Sequence, residues 1–218
     1  NNEDIHKPVS ALVSLENTSN RGGGSCYQMS DFHEIKKLCL SNNLKLHLDG
    51  ARLWNAIVAK GETPAEYGAI FDSISVCLSK GLGTPVGSVL LGDAGFIKQA
   101  RRYRKVMGGG MRQAGYLAAA GIFALQNNIS RLATDHHHAT IIGQALEKKD
   151  FIKNILPIET NILIFEVSGR FSAQEFSNYL KSQDIHCIAI SPTQVRMVTH
   201  LDVTESMVDR LIAIIEKM

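Results

Sequence analysis

The sequence predicts an α/β protein: a mainly parallel sheet with helices between its strands, followed by a smaller C-terminal α/β domain. Three observations carry this reading. Apolar runs of strand length alternate with helix-period patterns along most of the chain. The helical patterns fall between the first three strand candidates, which is where parallel crossovers need them. Hydrophobic residues make up 44% of the 218, enough for a sizeable core in one large domain or one and a half ordinary ones, and too many for a disordered chain.

Residues 11–15 (ALVSL) are the first strand candidate, and residues 31–41 place Phe32, Ile35, Leu38 and Cys39 on one helical stripe. In the second strand, residues 44–48, Leu44, Leu46 and Leu48 face one way while Lys45, His47 and the following Asp49 face the other. Residues 51–60 read as a helix, 73–78 as a third strand, and 87–91 as a fourth reached by a short turn through Pro85. The first three strands are expected to run parallel. Asp93 caps a helix whose Phe96, Ile97, Ala100, Tyr103 and Met107 form an apolar stripe ending at Gly108-Gly109-Gly110. A small-residue helix is expected over 111–126 and another over about 129–147. A strand at 161–167, a helix at 172–181, strands at 186–190 and 195–200 and a helix at 205–217 complete the chain. The domain change falls near 128, giving 1–128 as part of a large domain and 129–218 as a small one.

Charge narrows the partners. With 23 Lys+Arg against 21 Asp+Glu, the net charge of +2 gives no electrostatic reason to expect nucleic acid or an acidic membrane. The longest weakly polar stretch, 114–125, is too short to span a bilayer, and the polar start lacks the pattern of a signal peptide. Cys26, Cys39, Cys77 and Cys187 are too scattered for a CxxC pair or a disulfide framework, which fits a reducing cytosol. Gly81, Gly83 and Gly87 miss the GxGxxG spacing, and Lys80 precedes them instead of following as in a P-loop. His33-Glu34 lacks the second histidine of HExxH. His136, His137 and His138 cannot share one helix face, so a solvated surface is expected there and no metal site.

Two strand ends carry chemistry. Lys80 follows an apolar strand, where an unpaired ammonium is costly. For an isolated lysine, snorkelling into water is the ordinary outcome. The alternative is a Schiff-base lysine, made neutral by partial desolvation and flanked by glycines that let the backbone approach a cofactor. Asp49 in LKLHLDGAR also ends a strand, with Arg52 three residues on. Asp-Gly alone is turn chemistry, and Arg52 alone a surface helix residue. Taken together, an acid and a lysine at the C-terminal ends of successive parallel strands are what pyridoxal phosphate requires: a carboxylate that keeps the ring nitrogen protonated and an amine that holds the aldehyde.

The segments HLDGARLWNA, SVCLSKGLGTPVGSVLLG, RRYRKVMGGGMRQAGYLAAAGIFAL, RLATDH and VRMVTHLDV, in that order, resemble the low-specificity threonine aldolases of the β-eliminating lyase group. That group belongs to the fold-type-I pyridoxal-phosphate enzymes, and the resemblance runs from near residue 4 to the C-terminus. It implies pyridoxal 5'-phosphate as cofactor and a retro-aldol cleavage of L-threonine or L-allo-threonine to glycine and acetaldehyde. By position, Lys80 would hold the cofactor and Asp49 its pyridine nitrogen, while Arg52 and Arg196 would clamp the substrate carboxylate. His6, in EDIH, matches a histidine near the substrate β-hydroxyl. Lys105 and Arg112 match positions that reach an active site across a subunit boundary, although a basic helix C-terminus accounts for them nearly as well. A homo-oligomer, a dimer of dimers, is implied.

The family usually reads ENTHN where this chain has Glu16-Asn17-Thr18-Ser19-Asn20, so Ser19 can hydrogen-bond there but cannot titrate near neutrality. Gly22 to Gly24 read as a flexible loop without chemistry. An aromatic amino-acid β-eliminating lyase would keep the same cofactor residues and change the side-chain pocket. A non-catalytic remnant would have no reason to retain Lys80, Asp49 and Arg196 together. Four strands before residue 92 are fewer than such a large domain needs. The chain is therefore expected to be the C-terminal portion of a longer polypeptide whose upstream part, supplying a Gly-Thr phosphate cradle and a ring-stacking histidine, packs against it.

Overall fold

The computed structural model describes residues 5–218; Glu3 and Asp4 of the EDIH segment lie outside the described residues. The first sheet has the strand order β1 (Leu12–Glu16), β2 (Lys45–Gly50), β3 (Ser73–Cys77), β4 (Ser88–Gly92). The first three strands are parallel as expected, and β4 pairs antiparallel with β3.

The alternation in β2 decides which face is dry. Leu46 and Leu48, in register with Ile74 of β3 and with Val13 and Leu15 of β1, bury against Phe32, Tyr67 and Phe71. These rings come from α1 (Met29–Ser41), α3 (Pro64–Ile70) and the residue after α3, and α2 (Leu53–Lys60) adds Leu53, Ala56 and Ile57 to the same core. Phe32 meets both Tyr67 and Phe71 edge-on, at 5.7 and 5.1 Å between centroids. The opposite face carries two polar rows: Ser14, His47 and Ser73, then Glu16, Asp49 and Ser75. Polar groups are thus collected on one side and packing groups on the other.

Helix α3 is a short element that periodicity alone does not reveal. Its start is nevertheless written in the sequence: Thr63 caps it, Glu66 closes the capping box, and Pro64 takes the first turn, where its missing N–H costs nothing.

Beyond β4, Asp93 accepts from the Phe96 amide at 2.8 Å and caps α4 (Ala94–Val106) as expected. The expected apolar stripe does not pack inward, since α4 buries none of its residues. Helix α5 (Gly115–Asn127) starts later than the expected 111, because Gln113 takes a left-handed φ of 53° that interrupts helical geometry.

Helix α6 (Leu132–Glu147) leads into a second sheet of order β5 (Ile152–Ile155), β6 (Ile162–Val167), β8 (Gln194–Val198), β7 (Ile188–Ala189), antiparallel throughout. Leu163, Phe165, Val195 and Met197 form its core with Ala139, Ile142 and Leu146 of α6, Phe176 and Leu180 of α7 (Ala173–Ser182), and Val208, Leu211 and Ile215 of α8 (Glu205–Lys217). Strand β5 was not foreseen, and the expected strand over 186–190 contracts to two residues. Among the described residues, no helix is long and apolar enough to cross a membrane.

Several polar and apolar contacts join the halves. Lys60 at the end of α2 pairs with Glu159 at 2.7 Å, and Thr160 Oγ1 donates to the Gly24 carbonyl at 2.8 Å.

Candidate active site

Lys80 sits three residues past β3 in a tight turn, where Gly83 N–H donates to its carbonyl at 2.9 Å and Thr84 N–H to that of Leu78 at 3.2 Å. The side chain is exposed, and the turn beneath it is anchored. Leu82 is fully buried with Ala124 and Leu132, and its carbonyl accepts from Asn128 Nδ2 at 2.7 Å. The flanking glycines answer to these protein neighbours. A Cβ on Gly81 would come within 2.8 Å of Leu132, and Gly83 has a φ of 74° with Leu201 beside it. The close approach expected for a cofactor is therefore already used by α6 and by the loop after β8.

The histidine triple takes part in this support. His138 is buried, and half-buried His136 meets Asn55 of α2 at 3.1 Å, next to Gly81. Burial lowers the His136 pKa, against the opposing charge of Asp135. The expected solvated surface holds only for His137, and among the described residues no group of three or more metal-ligating side chains forms.

Asp49 ends β2 on the polar face, in register with Glu16 and Ser75. Its Oδ1 accepts from Ala51 N–H at 3.1 Å, so the turn chemistry is real, yet the carboxylate remains exposed. Among the described residues neither Asp49 nor Lys80 enters an ion pair. An acid and an amine at neighbouring strand ends have not neutralised each other, and both remain available to a bound group.

The loop after β1 brings the two arginines together. Asn20 Oδ1 accepts from Arg52 Nη1 at 3.4 Å and from Arg196 Nη2 at 2.9 Å. One arginine precedes α2, and the other lies in the middle of β8, opposite Ile164 and Ile188. Neither has an ion-pair partner among the described residues, and Arg196 Nε is buried without a hydrogen bond. Burial lowers the Arg52 pKa, Arg196 lowers it further, and Glu16 and Cys77 oppose. Arg196 is lowered by burial and by Arg21. A half-buried cationic cleft with an unsatisfied donor has the chemistry to accept an anionic group with two oxygens.

Asn20 ends the segment matched to ENTHN but was given no role there, because its partners lie 32 and 176 residues away. Ser19 is absorbed into the loop, where its Oγ accepts from Gly22 N–H at 3.2 Å. The glycine run is packed and not a loose loop: Gly23 and Gly24 are buried with positive φ, and a Cβ on Gly24 would lie 2.3 Å from Thr160 Oγ1. His6 is exposed before β1, while Lys105 in the last turn of α4 and Arg112 beyond it are exposed too. Among the described residues, neither Lys105 nor Arg112 hydrogen-bonds to the Asn20 that joins the two arginines.

A family model described as beta-eliminating lyase matches residues 1–169. The chain is 45% identical over 202 residues to the low specificity L-threonine aldolase of Escherichia coli K12, covering 93% of this chain and 58% of that protein. It is 38% identical over 202 residues to the low-specificity L-threonine aldolase 1 of Arabidopsis thaliana, covering 91% and 56%. The chain thus spans somewhat under two thirds of the length of these relatives. Among solved structures, Leishmania major threonine aldolase superimposes with a TM-score of 0.80 at 20% identity, covering 99% of this chain and 63% of that one. The histidinol-phosphate aminotransferase of Clostridium acetobutylicum gives 0.69 at 14%, covering 95% and 64%. The fold is the one these enzymes share.

Proposed function

This chain belongs to the β-eliminating lyase family, and on that premise we propose that it carries the lysine, acid and carboxylate clamp of a threonine aldolase. Such a carbon–carbon lyase cleaves L-threonine, L-allo-threonine and related β-hydroxy-α-amino acids to glycine and an aldehyde. The observation that carries the reading is the convergence of Arg52 and Arg196 on Asn20 without an acid to pair them, beside strand ends that bear an unpaired Asp49 and an unpaired Lys80. The domain boundary near 128 and the dimer of dimers, with Lys105 and Arg112 reaching across a subunit boundary, belong to the same proposal.

The residues present fit pyridoxal 5'-phosphate. When bound, that cofactor supplies an electron sink for the bond that breaks. Lys80 Nζ, on an exposed turn with a rigid base, would be the amine that holds the cofactor aldehyde. Asp49, set at the end of β2 by the hydrogen bond it accepts from Ala51 N–H, would be the carboxylate that partners the ring nitrogen. Arg52 and Arg196 would grip the substrate carboxylate from two elements and so fix the orientation of the bonds at Cα. His6 would be the candidate to hold or relay the proton of the β-hydroxyl, a water or an upstream residue being the alternatives.

Borohydride reduction of the pyridoxal-phosphate-loaded protein followed by peptide mapping tests this reading. The label is expected on Lys80. Lys80→Ala should lose both label and threonine cleavage with little change in melting temperature, since an exposed residue without partners contributes under about 0.5 kcal/mol to stability. Label on another lysine, or unchanged cleavage in Lys80→Ala, refutes it.

A further inference from the structure

From the neutrality of the group that Arg52 and Arg196 share, we infer that Asn20 determines the specificity of the clamp for a free carboxylate; this rests on the clamp proposed above. Both arginines donate to one oxygen, so their terminal nitrogens can be no further apart than the two hydrogen bonds laid end to end. Like charges so close repel, and each guanidinium has its pKa lowered, Arg52 partly through Arg196. An aspartate at position 20 would quench that repulsion and occupy the fork permanently. The amide oxygen holds the two groups on one point without neutralising them.

The geometry of Arg196 sharpens the argument. Its Nη2 reaches Asn20, while Nε, on the same planar edge, is buried and has no partner. That edge presents two parallel N–H groups, and a single amide oxygen satisfies one. A carboxylate has the second oxygen needed for both. Asn20 is also held firmly: its N–H donates to Glu16 Oε2 at 3.2 Å, Ser19 bridges Ser25, and Gly24 is tied to Thr160. The unliganded clamp is therefore preset for a ligand that brings the negative charge itself, an α-amino acid and not its amide or amino alcohol.

The test compares Asn20→Asp with Asn20→Ala in the complete, pyridoxal-phosphate-loaded protein. The probe is glycine, with glycinamide as the uncharged control. Binding is followed by calorimetry, and glycine protection of Arg52 and Arg196 against phenylglyoxal by peptide mass mapping. Asn20→Asp should weaken glycine binding by about 30-fold or more, abolish its protection of the arginines and erase the preference over glycinamide. It should also raise the melting temperature of the unliganded protein. Asn20→Ala, which removes the oxygen but adds no charge, should bind glycine within about tenfold of the unsubstituted protein. Equal losses in both variants, undiminished glycine binding in Asn20→Asp, or no protection in the unsubstituted protein overturns the inference. Because none of these readouts requires threonine cleavage, the charge pattern can stand while the aldolase reading fails, or fail while it stands.

Discussion

Replacing Arg196 with lysine keeps the charge at the centre of β8 and removes the planar edge that carries Nε and Nη2. A carboxylate seated on that edge would take two charge-assisted hydrogen bonds from Arg196 and at least one from Arg52. Lysine carries its three N–H groups on one nitrogen and cannot present two of them in parallel to the two oxygens of a carboxylate. The loss is one charge-assisted hydrogen bond, about 1.5–3 kcal/mol, which corresponds to about 10- to 150-fold in affinity for the substrate. The effect should fall mainly on KM, with kcat lowered less, because the carboxylate is gripped before and during bond cleavage. Initial rates of glycine formation over a range of L-threonine concentrations measure this directly. Arg52→Lys should show a smaller effect of the same kind, and the double variant should lose less than the product of the two, since both residues hold one ligand. A change in kcat/KM below about threefold in Arg196→Lys would mean that the carboxylate binds elsewhere.

Leu82→Ala empties the fully buried seat under the Lys80 turn and should destabilise the protein by about 2–5 kcal/mol; below the melting transition it should also slow borohydride trapping at Lys80, and an unchanged melting curve would show that the seat is not rigid. Burial pushes the Cys26 thiol up to about 12, reinforced by Glu159 and Glu62 and opposed by Lys60. A folded pKa above the unfolded value of about 8.5 means that this contribution to stability is complete below pH 8.5 and fades as pH rises towards 12. Cys26 should therefore resist iodoacetamide at pH 9 in the native protein and react in urea, and Cys26→Ala should flatten the alkaline fall in stability; rapid native labelling would contradict this.

Much of the first sheet was legible because its signals are local. Alternation in β2, the Asp93 cap and the Leu46 and Leu48 face are set by neighbours within a few residues, and they hold in the structure. Lys80 and Asp49 were legible for a related reason: polar groups that close apolar strands stand out against the run before them. What escaped depends on tertiary contact. The α4 stripe has helical period, but it lies over β4 with only Ile97 and Ala100 half-buried and none of its residues fully buried. The packed glycines at 23 and 24 look like a flexible run until Leu156 and Thr160 are placed beside them. The role of His136 depends on Asn55, 81 residues away. Asn20 lies in the segment matched to ENTHN, but its contact with the arginines was not legible, because only the fold puts the two of them around it.

The tie between Gly24 and Thr160 has a consequence for recombining this chain with its relatives. A crossover near residue 128 is attractive because it cuts between the two sheets, but it would separate Arg52 and Asn20 from Arg196, and Gly24 from the hydroxyl that fixes its loop. A donor C-terminal half with a bulkier residue at position 160, or a recipient loop with any side chain at 24, would push Asn20 away from β8 even if every residue of the clamp were inherited. Substrate preference in such hybrids should therefore follow the match between position 24 and position 160, so the two positions are best exchanged as one unit.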